Sequence, residues 1–116
     1  MSRLEDYGRR FANIDFERRD GVLQVRLHTD DGPLKWGALD GSIHSQLGEA
    51  FYQIARDLEN RAVILTGTGD TFCDSMNAAE LPSEPLAKIW SRLQREGQDL
   101  LMRLLDVPVP VIGAIN

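Results

Sequence analysis

Apolar and polar residues alternate along two short segments near the start of the chain, residues 13–18 and 22–28. The apolar positions are Ile14, Phe16, Leu23, Val25 and Leu27. A period of two is typical of strands with one buried face. Between them, Gly21 suits a tight turn because glycine adopts positive φ angles without steric cost. The pattern predicts a β-hairpin, preceded by a polar arm over residues 1–12 that can form a short helix.

Two later segments repeat apolar residues at the three- and four-residue spacing of a helix. The first contains Ile43, Leu47, Ala50, Phe51, Ile54, Ala55 and Leu58. The second contains Leu86, Ile89, Trp90, Leu93, Gly97, Leu100, Leu101 and Leu104. We predict one helix that is capped by Asp40 or Ser42 and ends at Asn60, and a second that follows the proline-rich break at residues 82–85. We expect Trp90 to lie in the core.

Continuous apolar runs occupy residues 62–66 and 111–116, and such runs are typical of strands buried on both faces. Residues 29–39 are rich in turn-forming residues and predict a loop that carries Trp36. The order is therefore hairpin, helix, strand, loop, helix, strand, which predicts an α/β fold with parallel strands. A core strand at the last residue leads us to expect that the chain is part of a longer protein.

Composition narrows the classes of function. The 116 residues suffice for one domain, and 42% of them are hydrophobic, which allows a packed core. The net charge of −5 argues against a nucleic-acid partner, which requires a basic surface. No apolar run approaches the roughly 20 residues of a membrane span, and the N-terminus does not resemble a secretory signal. With a single cysteine, we expect a cytoplasmic protein without an intrachain disulfide.

The segment after the run at residues 62–66 allows three interpretations. Gly67 and Gly69 could form a phosphate-binding loop, but Phe72 stands where a dinucleotide fingerprint has its third glycine, and the P-loop lysine is absent. Cys73 could be a reactive thiol, but aspartates flank it, so we expect a small buried packing residue. The third interpretation is a loop whose backbone N–H groups stabilise an oxyanion or enolate. Spacing alone does not distinguish this last site from an ordinary connection.

Three side chains are candidates for chemistry or for simple packing. His44 lies off the apolar stripe near the start of the first long helix, where it is either an exposed or capping residue or a group that moves protons near neutral pH. We expect His28, on the outward face of the second strand, to be structural or exposed. Trp36 either covers a hydrophobic substrate pocket or packs its own loop.

Three stretches together resemble the crotonase (enoyl-CoA hydratase/isomerase) superfamily in their order and spacing. They are GVLQVRL at residues 21–27, VILTGTGDTFC at residues 63–73 and VPVIGAIN at residues 109–116. The resemblance implies a crotonase-type ββα spiral, of which residues 13–116 would form the N-terminal half. It also implies a homotrimer or a hexamer built from two trimers.

The chain departs from the family at two places that matter for chemistry. The family loop F-A-A-G-x-D is here Phe72-Cys73-Asp74-Ser75-Met76-Asn77, so Ser75 replaces glycine and Asn77 replaces aspartate. By this correspondence the first oxyanion N–H belongs to Met76, and Phe72, Ser75 and Asn77 would contact the substrate. The family's CoA-contacting segment is replaced by DDGPLKWG at residues 30–37, whose two aspartates would repel CoA phosphates.

These departures point to one branch of the superfamily. Residues 27–29 and 59–73, together with Leu34, Trp36, His44, Leu47 and Phe51, resemble the 6-oxocamphor hydrolase branch, although the stretch between Trp36 and His44 is longer here, so we expect the substrate loop to differ. That branch cleaves a carbon–carbon bond in β-diketones and uses no CoA. The resemblance implies a small dicarbonyl substrate, no cofactor and no metal, with His44 as an active-site histidine, Trp36 at the substrate and the main base beyond residue 116. Two alternatives remain open: a CoA-thioester hydratase or isomerase, and a non-catalytic fragment that serves assembly.

Overall fold

Strands and helices alternate along residues 1–116, all of which the computed structural model describes. The elements are α1 (Leu4–Tyr7), β1 (Ile14–Arg19), β2 (Val22–Leu27), β3 (Leu34–Trp36), α2 (Ile43–Arg56), β4 (Ala62–Thr66), β5 (Cys73–Met76), α3 (Leu86–Leu105) and β6 (Val111–Ala114). A short 3₁₀ turn covers Ala78–Glu80. The predicted α/β order is confirmed, and β3 and β5 are additions to it.

The main sheet has four strands in the order β1-β2-β4-β6. β1 is antiparallel to β2, and the β2–β4 and β4–β6 pairs are parallel. At the hairpin, Asp20 and Gly21 have φ angles of 53° and 80°. The positive φ favours glycine at position 21, and a Cβ atom there would also lie 2.6 Å from Arg61 Cδ and would have to displace that side chain. The predicted hairpin and its turn residue are confirmed.

The core lies between one face of this sheet and helix α2. The alternating residues predicted to face inward on β2 are fully buried, as are Ile14 on β1 and Val63 on β4. From α2, the buried apolar residues are Ile43, Leu47, Ala50, Phe51 and Ile54. Helix α3 then packs on α2, with Gly48 of α2 facing the backbone of Leu100. This two-helix layer holds the first turn of α2 against the middle of α3.

Helix α2 ends earlier than the sequence predicts. It stops at Arg56, so Leu58 lies beyond it and is 74% exposed; its predicted place on the apolar stripe is wrong. Asn60 still contributes to the helix end, because its side-chain amide donates to the carbonyl of Ile54 at 3.1 Å. At the other end, Ser42 takes the capping position, although its hydroxyl donates to Leu39 O and does not accept a helix N–H.

Burial of the later elements is lower than predicted. In β4 only Val63 is fully buried, and β6 is an edge strand with Ile112 55% exposed. In α3 only Ile89 is buried, and Trp90 is 55% exposed, so the expectation that Trp90 lies in the core is wrong. The apolar pattern identifies the face that avoids water, but within this chain only α2 packs against α3, and only along part of that face.

The N-terminal segment is joined to the core through a buried polar cluster. Tyr7 on α1 is fully buried, and its hydroxyl donates to Asp57 Oδ2 at 2.7 Å. Arg18 donates to the same oxygen at 2.7 Å and to Asn60 at 2.9 Å. Burial and the bond to Asp57 raise the pKa of Tyr7. Burial alone would raise the pKa of Asp57, but the hydrogen bonds from Tyr7 and Arg18 together hold it below its usual range.

None of the helices is both long enough and apolar enough to cross a lipid bilayer.

Candidate functional site

Two short strands outside the main sheet bring predicted site residues together. β3 and β5 pair in parallel, with Trp36 opposite Met76. The sequence predicts loops at both places, and that prediction is wrong for residues 34–36 and 73–76. Both strands have only three or four residues, and β5 is exposed throughout, so neither shows the alternation by which a strand is recognised.

The β3–β5 register determines the direction of the Met76 N–H. Asn77 donates its N–H to Trp36 O at 2.8 Å. In a parallel ladder, the residue directly opposite Trp36 then points its own N–H away from β3. β5 has β3 as its only neighbouring strand, and Met76 N donates to no group outside the strands. The Met76 N–H is therefore an unused donor on the open side of β5.

Trp36 also contacts the predicted catalytic histidine. The rings of Trp36 and His44 meet edge to face, with their centroids 5.9 Å apart and their planes at 86°. His44 lies in the first turn of α2, and its side chain is 15% exposed. Trp36 thus adjoins His44 through its ring and Met76 through the strand register. Its ring also packs against the core cluster, so the loop-packing role considered for Trp36 has structural support as well.

Helix α3 contributes two residues that the sequence did not reveal. His44 Nδ1 lies 2.9 Å from Glu96 Oε1, and the Glu96 side chain is 15% exposed. Arg92 donates from Nη1 to the same oxygen at 3.0 Å and from Nη2 to Ala38 O at 3.1 Å. The only signal in the sequence is the spacing of Arg92 and Glu96, which is also that of an ordinary surface ion pair.

The remaining predicted residues of the loop have mixed placements. Phe72 is half-buried and packs against the core cluster. Ser75 is exposed, and the Asn77 side chain accepts from Ala79 N at 3.2 Å, which caps the 3₁₀ turn. Cys73 is exposed, so its predicted role as a buried packing residue is wrong. Of the predicted site residues, the structure therefore places Trp36 next to both His44 and Met76.

The glycine turn before this loop is filled by protein atoms. A Cβ on Gly67 would lie 2.7 Å from Phe72 Cα, and Gly69 has a φ of 73°. Asn116 accepts from Gly67 N at 3.2 Å and donates to Gly69 O at 2.8 Å. The Asn116 side chain thus occupies the Gly67 N–H that a phosphate would need, which agrees with the interpretation of this segment as a tight turn.

His28 lies in a second polar cluster, beside Asp15 and Arg26 on the outward face of the hairpin, and is buried there with 7% exposure, so the expected structural role is confirmed. Its Nδ1 accepts from Asp31 N at 3.2 Å, and Nε2 lies 3.3 Å from Asp15 Oδ1. Because Nδ1 is an acceptor, the neutral ring carries its proton on Nε2, which faces the carboxylate. Arg26 pairs with Asp15 and approaches Asp31. A metal ion would need a deprotonated Nε2, and Arg26 already compensates the charges of the Asp15 and Asp31 carboxylates. These residues therefore fit an ion-pair cluster better than a metal site.

Comparisons with known proteins identify the family of this chain. Residues 17–116 match the model of the enoyl-CoA hydratase/isomerase family. The 1,2-epoxyphenylacetyl-CoA isomerase of Escherichia coli (strain K12) is 30% identical over 99 residues, which are 83% of this chain and 37% of that protein.

Two solved structures are similar in fold. A β-diketone hydrolase from the cyanobacterium Anabaena sp. PCC 7120, bound to (S)-3-oxocyclohexyl acetic acid, is 38% identical with a TM-score of 0.87, covering 96% of this chain and 44% of that one. An enoyl-CoA hydratase of Mycobacterium smegmatis is 26% identical with a TM-score of 0.72, covering 89% and 39%. The chain spans less than half the length of these relatives. The predicted crotonase-type fold is confirmed, and the chain belongs to the enoyl-CoA hydratase/isomerase family, the crotonase superfamily.

Proposed function

We propose that the protein carrying this chain hydrolyses a carbon–carbon bond in a cyclic β-diketone or a similar dicarbonyl compound. One observation carries the proposal: Trp36 adjoins both a half-buried histidine, His44, and a strand residue, Met76, whose N–H is unused. An aromatic surface, a proton-transferring group and a free backbone donor are the groups that such a reaction needs near an apolar diketone.

The reaction produces negative charge on oxygen. Water adds to one carbonyl carbon, and the bond from that carbon to the central carbon breaks. The electron pair passes to the other carbonyl as an enolate, and the central carbon then takes a proton, so a cyclic diketone opens to one product that carries both a ketone and a carboxylic acid. The Met76 N–H would stabilise the enolate oxygen, a contribution worth on the order of 100-fold in rate. His44 would polarise or orient a carbonyl.

The similarity to the Anabaena enzyme supports this choice of reaction. That enzyme is a β-diketone hydrolase, and its bound molecule contains a ketone and a carboxylic acid, the two groups that hydrolytic cleavage of a β-diketone generates. Its 38% identity and TM-score of 0.87 exceed the 26% and 0.72 of the Mycobacterium smegmatis hydratase. The local chemistry of Trp36, His44 and Met76 and the similarity therefore favour the same reaction class.

The alternative is a CoA-thioester hydratase or isomerase, since the family model and the Escherichia coli relative are of that kind. Two adjacent acids weigh against it. Asp30 and Asp31 follow β2 with φ angles of 50° and 65°, and the Asp31 side chain is 85% exposed. Carboxylates at this place, where the family contacts CoA, would repel the cofactor's phosphates.

The deciding experiment gives the protein both substrate classes. Acid release from a cyclic 1,3-diketone is compared with hydration of a short-chain enoyl-CoA thioester, for the wild type and for His44→Ala. We expect diketone cleavage that falls about 100-fold in His44→Ala. Glu49→Ala, an exposed position on the same helix, is the matched control and should retain activity. Thioester turnover without diketone cleavage would favour the alternative, and equal rates in His44→Ala and wild type would remove His44 from the mechanism.

We also propose that the protein forms a homotrimer or a hexamer. Large apolar side chains stand exposed on α3, namely Leu86, Trp90, Leu101, Met102 and Leu105. Several large exposed apolar side chains on one helix are typical of a surface that another unit covers. Light scattering coupled to size exclusion would give a mass three or six times that of the full gene product, whereas a monomeric mass would contradict the proposal.

A further inference from the structure

We propose that Glu96 is a positioning residue: it holds His44 in the tautomer that carries its proton on Nδ1 and leaves Nε2 for the substrate, and Arg92 keeps the Glu96 carboxylate in place. The assignment of the tautomer stands on the contacts of these side chains. Its consequence for catalysis rests on the proposed function.

The first step is the bond between His44 and Glu96. A carboxylate accepts hydrogen bonds and does not donate them, so the 2.9 Å contact requires a proton on His44 Nδ1. A neutral imidazole has one donor nitrogen and one acceptor nitrogen, and fixing Nδ1 as the donor makes Nε2 the acceptor. Both side chains are 15% exposed, so water competes little for this bond.

The second step is the clamp on the carboxylate. Arg92 shares Glu96 Oε1 with His44 and also donates to Ala38 O, two residues beyond Trp36. The guanidinium fork therefore connects α3 to the segment that follows β3. Arg92 is a permanent cation, and its contact with Oε1 compensates the charge of the Glu96 carboxylate that accepts from Nδ1. The arrangement fixes His44 relative to Trp36 as well as relative to α3.

The third step concerns the other ring nitrogen. A Cβ atom on Gly97 would lie 3.8 Å from His44 Nε2, so the residue next to Glu96 places no side chain beside this nitrogen. With Nδ1 held by Glu96, Nε2 can accept a hydrogen bond in the neutral ring and donate one to a carbonyl oxygen when the ring is protonated, without any ring rotation.

Nitrogen NMR of the protein labelled with ¹⁵N-histidine tests the tautomer without any substrate. For the neutral ring, long-range ¹H–¹⁵N correlations should give a protonated Nδ1 and an unprotonated Nε2, with the signals assigned by their loss in His44→Ala. In Glu96→Ala the pattern should change to a protonated Nε2. Glu49→Ala, at an exposed site on α2, should retain the wild-type pattern. The wild-type spectrum tests the proposal even if Glu96→Ala does not fold, because a protonated Nε2 there would overturn it.

Kinetics then test the consequence for catalysis. In Glu96→Ala we expect kcat for diketone cleavage to fall at least about tenfold, a common effect of removing the partner that orients a functional histidine. KM should change much less, since Glu96 is not placed to touch the substrate. An altered tautomer with unchanged kcat would overturn the role in catalysis. If the wild type cleaves no diketone but has the predicted Nδ1–H tautomer, the proposed function fails while the positioning of His44 by Glu96 stands.

Discussion

Trp36 and Met76 lie opposite each other in the parallel pairing of β3 and β5. Because the next residue, Asn77, gives its N–H to Trp36 O, the Met76 N–H points away from the ladder. The same pairing that brings Met76 beside Trp36 therefore leaves its donor unused. A backbone donor does not depend on the side chain, which explains how a methionine can occupy this position in the family loop.

Replacing Met76 with proline tests the backbone donor. Proline removes the N–H, and at this position no ladder hydrogen bond is lost, so the fold should tolerate the change better than at the neighbouring positions. We expect kcat for diketone cleavage to fall about 100-fold or more in Met76→Pro. Met76→Ala retains the N–H and should remain within a fewfold of the wild type. Equal losses in the two variants would assign the effect to the side chain and contradict the role of the N–H.

Much of the fold follows from local periodicity. The hairpin, α2, β4, α3 and β6 lie where the apolar pattern places them, because each carries apolar residues at the spacing of its element. β3 and β5 were missed because they are short, polar or exposed, and gain their pairing from a segment distant in sequence. The exposure of Trp90 has a different origin: a helical pattern identifies the apolar face but not the element that covers it.

The candidate site could be predicted only in part. His44, Trp36 and Met76 came from the resemblance to a family, and the structure brings them together through β3. Glu96 was not predicted, because its contact with His44 spans 52 positions and arises only when α3 packs on α2. On the sequence alone, an acid four residues after Arg92 is typical of a solvated helix face.

Gly37 and Glu80 should be energetically coupled. A Cβ atom on Gly37 would lie 2.8 Å from Glu80 Cβ and even nearer to its carboxylate, so Gly37→Ala must displace this side chain. We expect Gly37→Ala to lower the free energy of unfolding by about 1–3 kcal/mol, as overpacking does. In a Glu80→Gly background all of these contacts are absent, and the same change should cost much less. Urea unfolding of the four proteins measures the coupling, and strictly additive effects would contradict it.

The Tyr7–Asp57–Arg18 cluster should make stability depend on pH on the acid side. The pKa of Asp57 is lowered on folding from an unfolded value of about 3.9, so its contribution is fully present above that value and is lost as the pH falls through the folded pKa. The Asp57 side chain is 1% exposed, so Asp57→Asn should destabilise the protein at pH 7 by about 1–3 kcal/mol.

Asp57→Asn should also weaken the decline in stability as the pH falls below about 4, because the asparagine cannot titrate. Urea unfolding at several pH values measures both effects, with Asp99→Asn, an exposed carboxyl on α3, as the matched control that should follow the wild type. An acid-side slope that is unchanged in Asp57→Asn would mean that another carboxylate dominates the decline. If Asp57→Asn lowers the stability at pH 7 but retains the acid-side slope, Asp57 stabilises the fold through its hydrogen bond with Tyr7, and its protonation does not cause the decline at low pH.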